Sequence, residues 1–135
     1  MLTSSVIRRG PISVIDNRCH VVRGETPFVE CHEAFSISYV RKGTFGYRTR
    51  GRSFELVTGS VLIGHPGDEY ICTHDHGEGD ECLSFFLAPE VVDSVGGGSA
   101  AFRVGALPPL ADIMVLGELA QTTAEGSSDV ELDEL

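Results

Sequence analysis

Through its first 88 residues the chain reads as short strands broken by Gly and Pro, and this punctuation limits what it can fold into. Ser36-Ile37-Ser38-Tyr39 alternates with period two. Thr44 to Thr49 alternates again, with Phe45, Tyr47 and Thr49 on one face and Gly46, Arg48 and Arg50 on the other. Phe54 and Leu56 continue the pattern after a turn at Arg50-Gly51-Arg52. Val61-Leu62-Ile63 reads as a strand buried on both sides. Ile12–Val22, Tyr70–His76 and Leu83–Leu87 are further strand candidates. Lys42-Gly43, Thr58-Gly59, Pro66-Gly67 and the Gly77/Gly79 pair mark the turns. Strands at such spacing predict an all-β sandwich or barrel.

The pattern changes after Pro89. Glu90–Val95 reads as a short helix with Pro89 in its first turn, and Gly96-Gly97-Gly98-Ser99 as a flexible break. Leu110–Gln121 reads as a helix: Leu110, Ile113, Met114 and Gly117 recur at helical spacing, and Leu116, Leu119 and Ala120 widen the apolar face. Ser128-Asp129-Val130-Glu131 fits a capping box opening a second helix close to Leu135, as if the chain were cut in mid-protein. The expected division is therefore a barrel over 1–95, then a break, a helix, a loop and the start of a second helix over 96–135.

The net charge of −10 argues against nucleic-acid binding by this chain, since that binding needs cations against phosphate. Residues 104–135 hold seven acids and no bases, while five of the ten bases lie between 41 and 52. No apolar run approaches the roughly 20 residues of a membrane span, and no signal peptide is visible at the start. These readings predict a cytoplasmic protein whose four cysteines are thiols or metal ligands rather than disulfides.

Two clusters carry candidate chemistry. Gly24, Glu30, His32, Ser36 and Gly43 stand at a spacing that resembles the first motif of the cupin family, and Gly59-Ser-Val-Leu-Ile-Gly-His-Pro66-Gly67 with Tyr70 resembles the second. The resemblance implies a small jelly-roll barrel. Where metal-dependent cupins carry three His and one Glu, this chain has Glu30, His32, Ser36 and Tyr70, and two of those four are poor ligands. The second cluster is Cys72-Thr-His74-Asp-His76-Gly-Glu-Gly-Asp80-Glu-Cys82. Residues 72, 74 and 76 share one face of a strand, and the glycines let Cys82 turn back towards them. Cys72, His74, His76 and Cys82 are therefore candidate zinc ligands, with Cys31 as a further partner. The alternative is a half-buried strand whose cysteines are small core residues.

Taken with Phe35-Ser-Ile-Ser-Tyr-Val-Arg-Lys-Gly43 and His74-Asp-His-Gly-Glu-Gly-Asp-Glu-Cys-Leu-Ser-Phe85, these motifs resemble the N-terminal domain of AraC-type transcription regulators. In that family a cupin barrel is followed by two helices, a linker and a basic domain with two helix-turn-helix motifs. The resemblance implies a mainly β, cupin-type jelly roll followed by C-terminal helices, a barrel that senses a small-molecule effector, and helices that form a homodimer. DNA would be reached only through a C-terminal domain absent from this chain. Glu30, His32, Tyr39, Tyr47, Arg48 and Arg50 are the candidate effector-binding residues: the arginines for an anion at the barrel mouth, the aromatics as a floor. No catalytic nucleophile can be assigned. The second reading is a stand-alone cupin enzyme using zinc with an open coordination position.

Overall fold

The turns fall where the backbone turns left-handed. Gly43, Gly59 and Gly67 have φ of 86°, 94° and 87°, a region that costs any residue with a Cβ. The computed structural model describes residues 2–20, 26–74, 79–94 and 97–124. Its strands are β1 (Leu2–Arg8), β2 (Ile12–Cys19), β3 (Glu30–Cys31), β4 (Phe35–Lys42), β5 (Phe45–Thr49), β6 (Arg52–Leu56), β7 (Val61–Gly64), β8 (Glu69–Thr73), β9 (Asp80–Leu87) and β10 (Ala106–Leu107). Helix α1 spans Pro89–Asp93, a 3-10 turn spans Gly98–Arg103, and helix α2 spans Ala111–Ala124. The capping box at 128–131 lies outside the described residues.

The strands form a six-stranded sheet, β1-β2-β9-β4-β7-β10, and a four-stranded sheet, β3-β8-β5-β6. All their pairings are antiparallel. This is the expected mainly β, cupin-type architecture with a C-terminal helix. The β5 alternation holds: Phe45, Tyr47 and Thr49 are buried and Arg48 is exposed. Phe45 and Tyr47 join Val40, Leu56, Leu62 and Cys82 in a core between the sheets. Val61–Gly64 lies inside its sheet, between β4 and β10, as its apolar run predicts.

A second cluster, Val14, Leu83 and Ala120 with Ile7 and Phe85, covers the other face of the large sheet beneath α2. Here the expected helix face is corrected. The residues that α2 turns inward are small: Gly117 lies against the ring of Tyr39, and Ala120 and Gln121 are buried. Leu110, Met114, Val115, Leu116 and Leu119 are exposed instead. Large side chains on the inner face would hold the helix away from Tyr39, because a Cβ at Gly117 would come within 2.6 Å of that ring.

The Gly-rich break does not end the barrel's contribution from the chain. β10 follows it and pairs with β7, Ala106 opposite Leu62 and Leu107 opposite Val61. β1, β3 and β10 have no counterpart among the expected strands. Two of them are only two residues long, and β1 is an edge strand with most of its side chains exposed, so no apolar alternation announces them.

Candidate functional site

The first site lies where β3 and β8 pair, with Glu30 opposite Tyr70. The Tyr70 hydroxyl donates a hydrogen bond to the Glu30 carboxylate, and burial raises the Glu30 pKa above its usual value. The backbone after β3 is fixed by His32 N–H donating to the Asp68 carbonyl at 2.9 Å and Gly67 N–H donating to the His32 carbonyl at 2.8 Å. The imidazole then stacks on Tyr70, with ring centroids 4.0 Å apart, and its Nε2 shares a 2.8 Å hydrogen bond with the Tyr47 hydroxyl. Burial lowers the His32 pKa, against an upward pull from the Asp68 carboxylate. Burial also pushes the Tyr47 hydroxyl up to about 12 and raises Tyr70 further, so both remain neutral hydrogen-bonding groups at neutral pH. Gly64 makes room for the group: a Cβ there would overlap the Ser36 hydroxyl and the His32 ring. Glu30, His32, Ser36, Tyr47 and Tyr70 thus form one polar cluster facing the interior.

This cluster does not fit the metal that the cupin fold implies. Ser36 and Tyr70 stand at two ligand positions, the Tyr70 phenol is held protonated, and His32 Nε2 is already engaged by Tyr47. What the arrangement can do is offer donors and acceptors to a polar molecule.

The other expected effector residues lie elsewhere. Tyr39 is buried under α2, on the opposite face of its strand from Ser36. The chain reverses at Arg50, φ 52°, and Gly51, so Arg48 and Arg52 stand on the neighbouring strands β5 and β6. Arg48 lines a shallow groove with Gly46, Ser53, Glu55 and Thr73. Arg50 pairs with Asp68 at 3.2 Å, the residue whose carbonyl anchors His32. Arg52 donates to the Arg103 carbonyl at 2.6 Å.

The second site lies at the other end of β8. Cys19 closes β2, Asp80 opens β9 directly opposite it, and His74 follows β8. Cys19 Sγ is 3.8 Å from His74 Nε2, and His74 Nδ1 is 3.3 Å from Asp80 Oδ2. These residues can each place a ligand atom within 4.8 Å of the others, a group able to hold a metal ion. Cys72, half-buried, and Cys82, buried, stand close to it; desolvation raises both thiol pKa values, helped by the Glu30 and Asp80 carboxylates at Cys72 and by Asp80 at Cys82. Cys82 Sγ lies 4.0 Å from Asp80 Oδ1. All four cysteines are thiols. Cys31 is exposed and turned to the His32 carbonyl, and His76 lies outside the described residues. Sequence reasoning named neither Cys19 nor Asp80 as a ligand, because only the β2–β9 register brings them together.

Two antiparallel sheets packed on an apolar core, with a polar cluster at one end, make a cupin-type barrel. Solved structures agree. A cupin superfamily protein from Desulfitobacterium hafniense is 12% identical with a TM-score of 0.53, over 65% of this chain and 78% of that one. A cupin 2 conserved barrel domain protein from Salinispora arenicola is 13% identical with a TM-score of 0.53, over 68% of this chain and 80% of that one. A Photorhabdus luminescens protein is 18% identical with a TM-score of 0.54, over 66% of this chain and 77% of that one. Within that fold the chain belongs to the AraC-like ligand binding domain family, which it matches over residues 22–129. No curated protein matches it. No helix among the described residues is long and apolar enough to cross a membrane.

Proposed function

We propose that this chain is the effector-sensing and dimerisation part of an AraC-type transcription regulator in the cytoplasm, reaching DNA through a separate basic domain. The carrying observation is the interior cluster of Glu30, His32, Tyr47 and Tyr70 in a chain of the AraC-like ligand binding family. Buried donors and acceptors select a small polar effector, because a mismatched one leaves them unpaired. Arg50 supports the rim through Asp68. The barrel then senses rather than catalyses, and the effector acts only through its differential affinity for two arrangements of the dimer. The large apolar side chains that α2 leaves exposed form the homodimer surface. A zinc ion belongs to the same reading, held at the His74 end of β8.

The test is a thermal-shift screen of the chain against sugars, polyols and small carboxylates, repeated on His32→Ala, with mass by light scattering. The expected result is a stabilising compound whose effect disappears in His32→Ala, together with a dimer mass. A monomer at high micromolar concentration, or compounds that stabilise both proteins equally, would refute the reading.

A further inference from the structure

The geometry points to a binding site for a borderline-soft divalent cation of the zinc class made by Cys19, His74 and Asp80, separate from the cupin metal position and tying the ends of β2, β8 and β9 together. The inference deepens the zinc part of the proposed function and does not depend on the effector. It keeps His74 from the set expected from sequence and adds Cys19 and Asp80, which strand register brings beside it.

The first support is convergence. A tetrahedral zinc ion with bonds of about 2.0–2.3 Å holds its ligand atoms roughly 3.3–3.8 Å apart. Cys19 Sγ and Asp80 Oδ2 flank the His74 ring, at 3.8 Å from Nε2 and 3.3 Å from Nδ1; an ion takes one of these nitrogens, and with one ligand atom from each residue the three lie within 4.8 Å of one another. A small contraction closes the group on an ion.

The second support is unmet bonding. Among the described residues His74 Nδ1 and Asp80 Oδ2 are buried and find no hydrogen-bond partner, although they face each other at ion-pair distance. Burial of such atoms is costly without a partner, and a cation would supply one. The third is the donor set. A thiol, an imidazole and a carboxylate suit zinc better than magnesium or calcium. Cys82 Sγ lies beside the group, 4.0 Å from Asp80 Oδ1.

Backbone packing holds the group in place. A Cβ on Gly43 would overlap the Gly79 carbonyl, and one on Gly79 would come within 2.6 Å of the Cys19 carbonyl. The backbone leading into β9 is thereby seated against the end of β2. Phe45 lies beside the imidazole, with ring centroids 6.0 Å apart. A metal here needs Cys19 as thiolate, so binding releases a proton and weakens as the pH falls.

The experiment uses Co(II) as the probe on the reduced full chain, stripped of metal. One equivalent is expected to give the thiolate-to-cobalt charge-transfer band and intense visible bands of a tetrahedral site. Cys19→Ser and Asp80→Asn are each expected to weaken Co(II) binding at least about tenfold. Cys31→Ser and His32→Ala are expected to leave it unchanged, and the latter separates failure of this site from failure of the effector reading. Far-ultraviolet circular dichroism checks that the variants fold, with Cys19→Ala as the second substitution. An unchanged band in folded Cys19→Ser or Cys19→Ala overturns the proposal. So does the lack of any band in the wild-type chain, including the case where Cys19 is instead rapidly alkylated as a bare thiol–imidazole pair.

Discussion

His32 connects the candidate effector site to pH. Its folded pKa is lowered from the ordinary 6.5 by burial, so the unfolded chain takes up a proton first as the pH falls. Stability rises with pH wherever the unfolded state binds more protons, so this contribution is fully present above about 6.5 and is lost as the pH drops towards the folded value. Glu30 acts in the opposite sense: its raised carboxyl binds its proton more readily when folded, and its contribution grows on acidification towards the ordinary 4.5. Urea midpoints measured from pH 7.5 down to about 5.5 should therefore fall more steeply in wild type than in His32→Asn. Parallel curves for the two proteins would show that His32 is not buried as a neutral ring. Gly64 gives a second prediction at this scale. Alanine there would overlap the Ser36 hydroxyl and the His32 ring, and such overpacking costs about 1–3 kcal/mol. Equilibrium urea unfolding of Gly64→Ala measures it, and a loss below about 0.5 kcal/mol would mean that the cluster yields easily.

At the scale of elements, strands with alternating or continuous apolar side chains were legible in the sequence. β5 and β7 were found because Phe45, Tyr47 and the Val61–Ile63 run write their burial into composition. β3 was not, because two residues are too few to show a period, although its Glu30 is central to the site. The motif spacing did foreshadow the convergence of Glu30, His32, Ser36 and Tyr70. Cys19 and Asp80 share no local pattern, and only the long-range β2–β9 pairing sets one opposite the other. The periodicity of α2 revealed a helix without revealing which side faces the barrel. Gly117 and Ala120 take the inner face because Tyr39 leaves room only for small side chains, so the leucines turn outward. Replacing Val115 and Leu119, 61% and 36% exposed, with Glu should then convert a dimer into a monomer and leave thermal stability within about 0.5 kcal/mol of wild type at low protein concentration. Light scattering at matched concentrations checks this, and a dimer that survives both substitutions would locate the interface elsewhere.

For the whole molecule, β8 joins the two sites. Tyr70 and Cys72 alternate along it on the face that packs against the core, and His74 follows its last residue. The Glu30–His32–Tyr70 cluster therefore sits at one end of this strand and the Cys19–His74–Asp80 group at the other. A cation in that group would hold together the ends of β2, β8 and β9, segments that separate when the chain unfolds. A ligand bound only by the folded state adds about 2.7 kcal/mol at a hundredfold excess over its Kd. For a chain of this length that corresponds to a rise in Tm of roughly 9–10 °C, less whatever the unfolded chain gains by binding metal through its own Cys and His. Differential scanning calorimetry of the reduced chain with and without Zn(II) should show such a rise in wild type and in His32→Ala, and little of it in Cys19→Ser. An equal rise in Cys19→Ser would place the ion on other ligands. The link between Cys19, His74 and Asp80 would then be lost as a feature of the fold, while the Glu30–His32–Tyr70 cluster at the β3 end would stand unaffected.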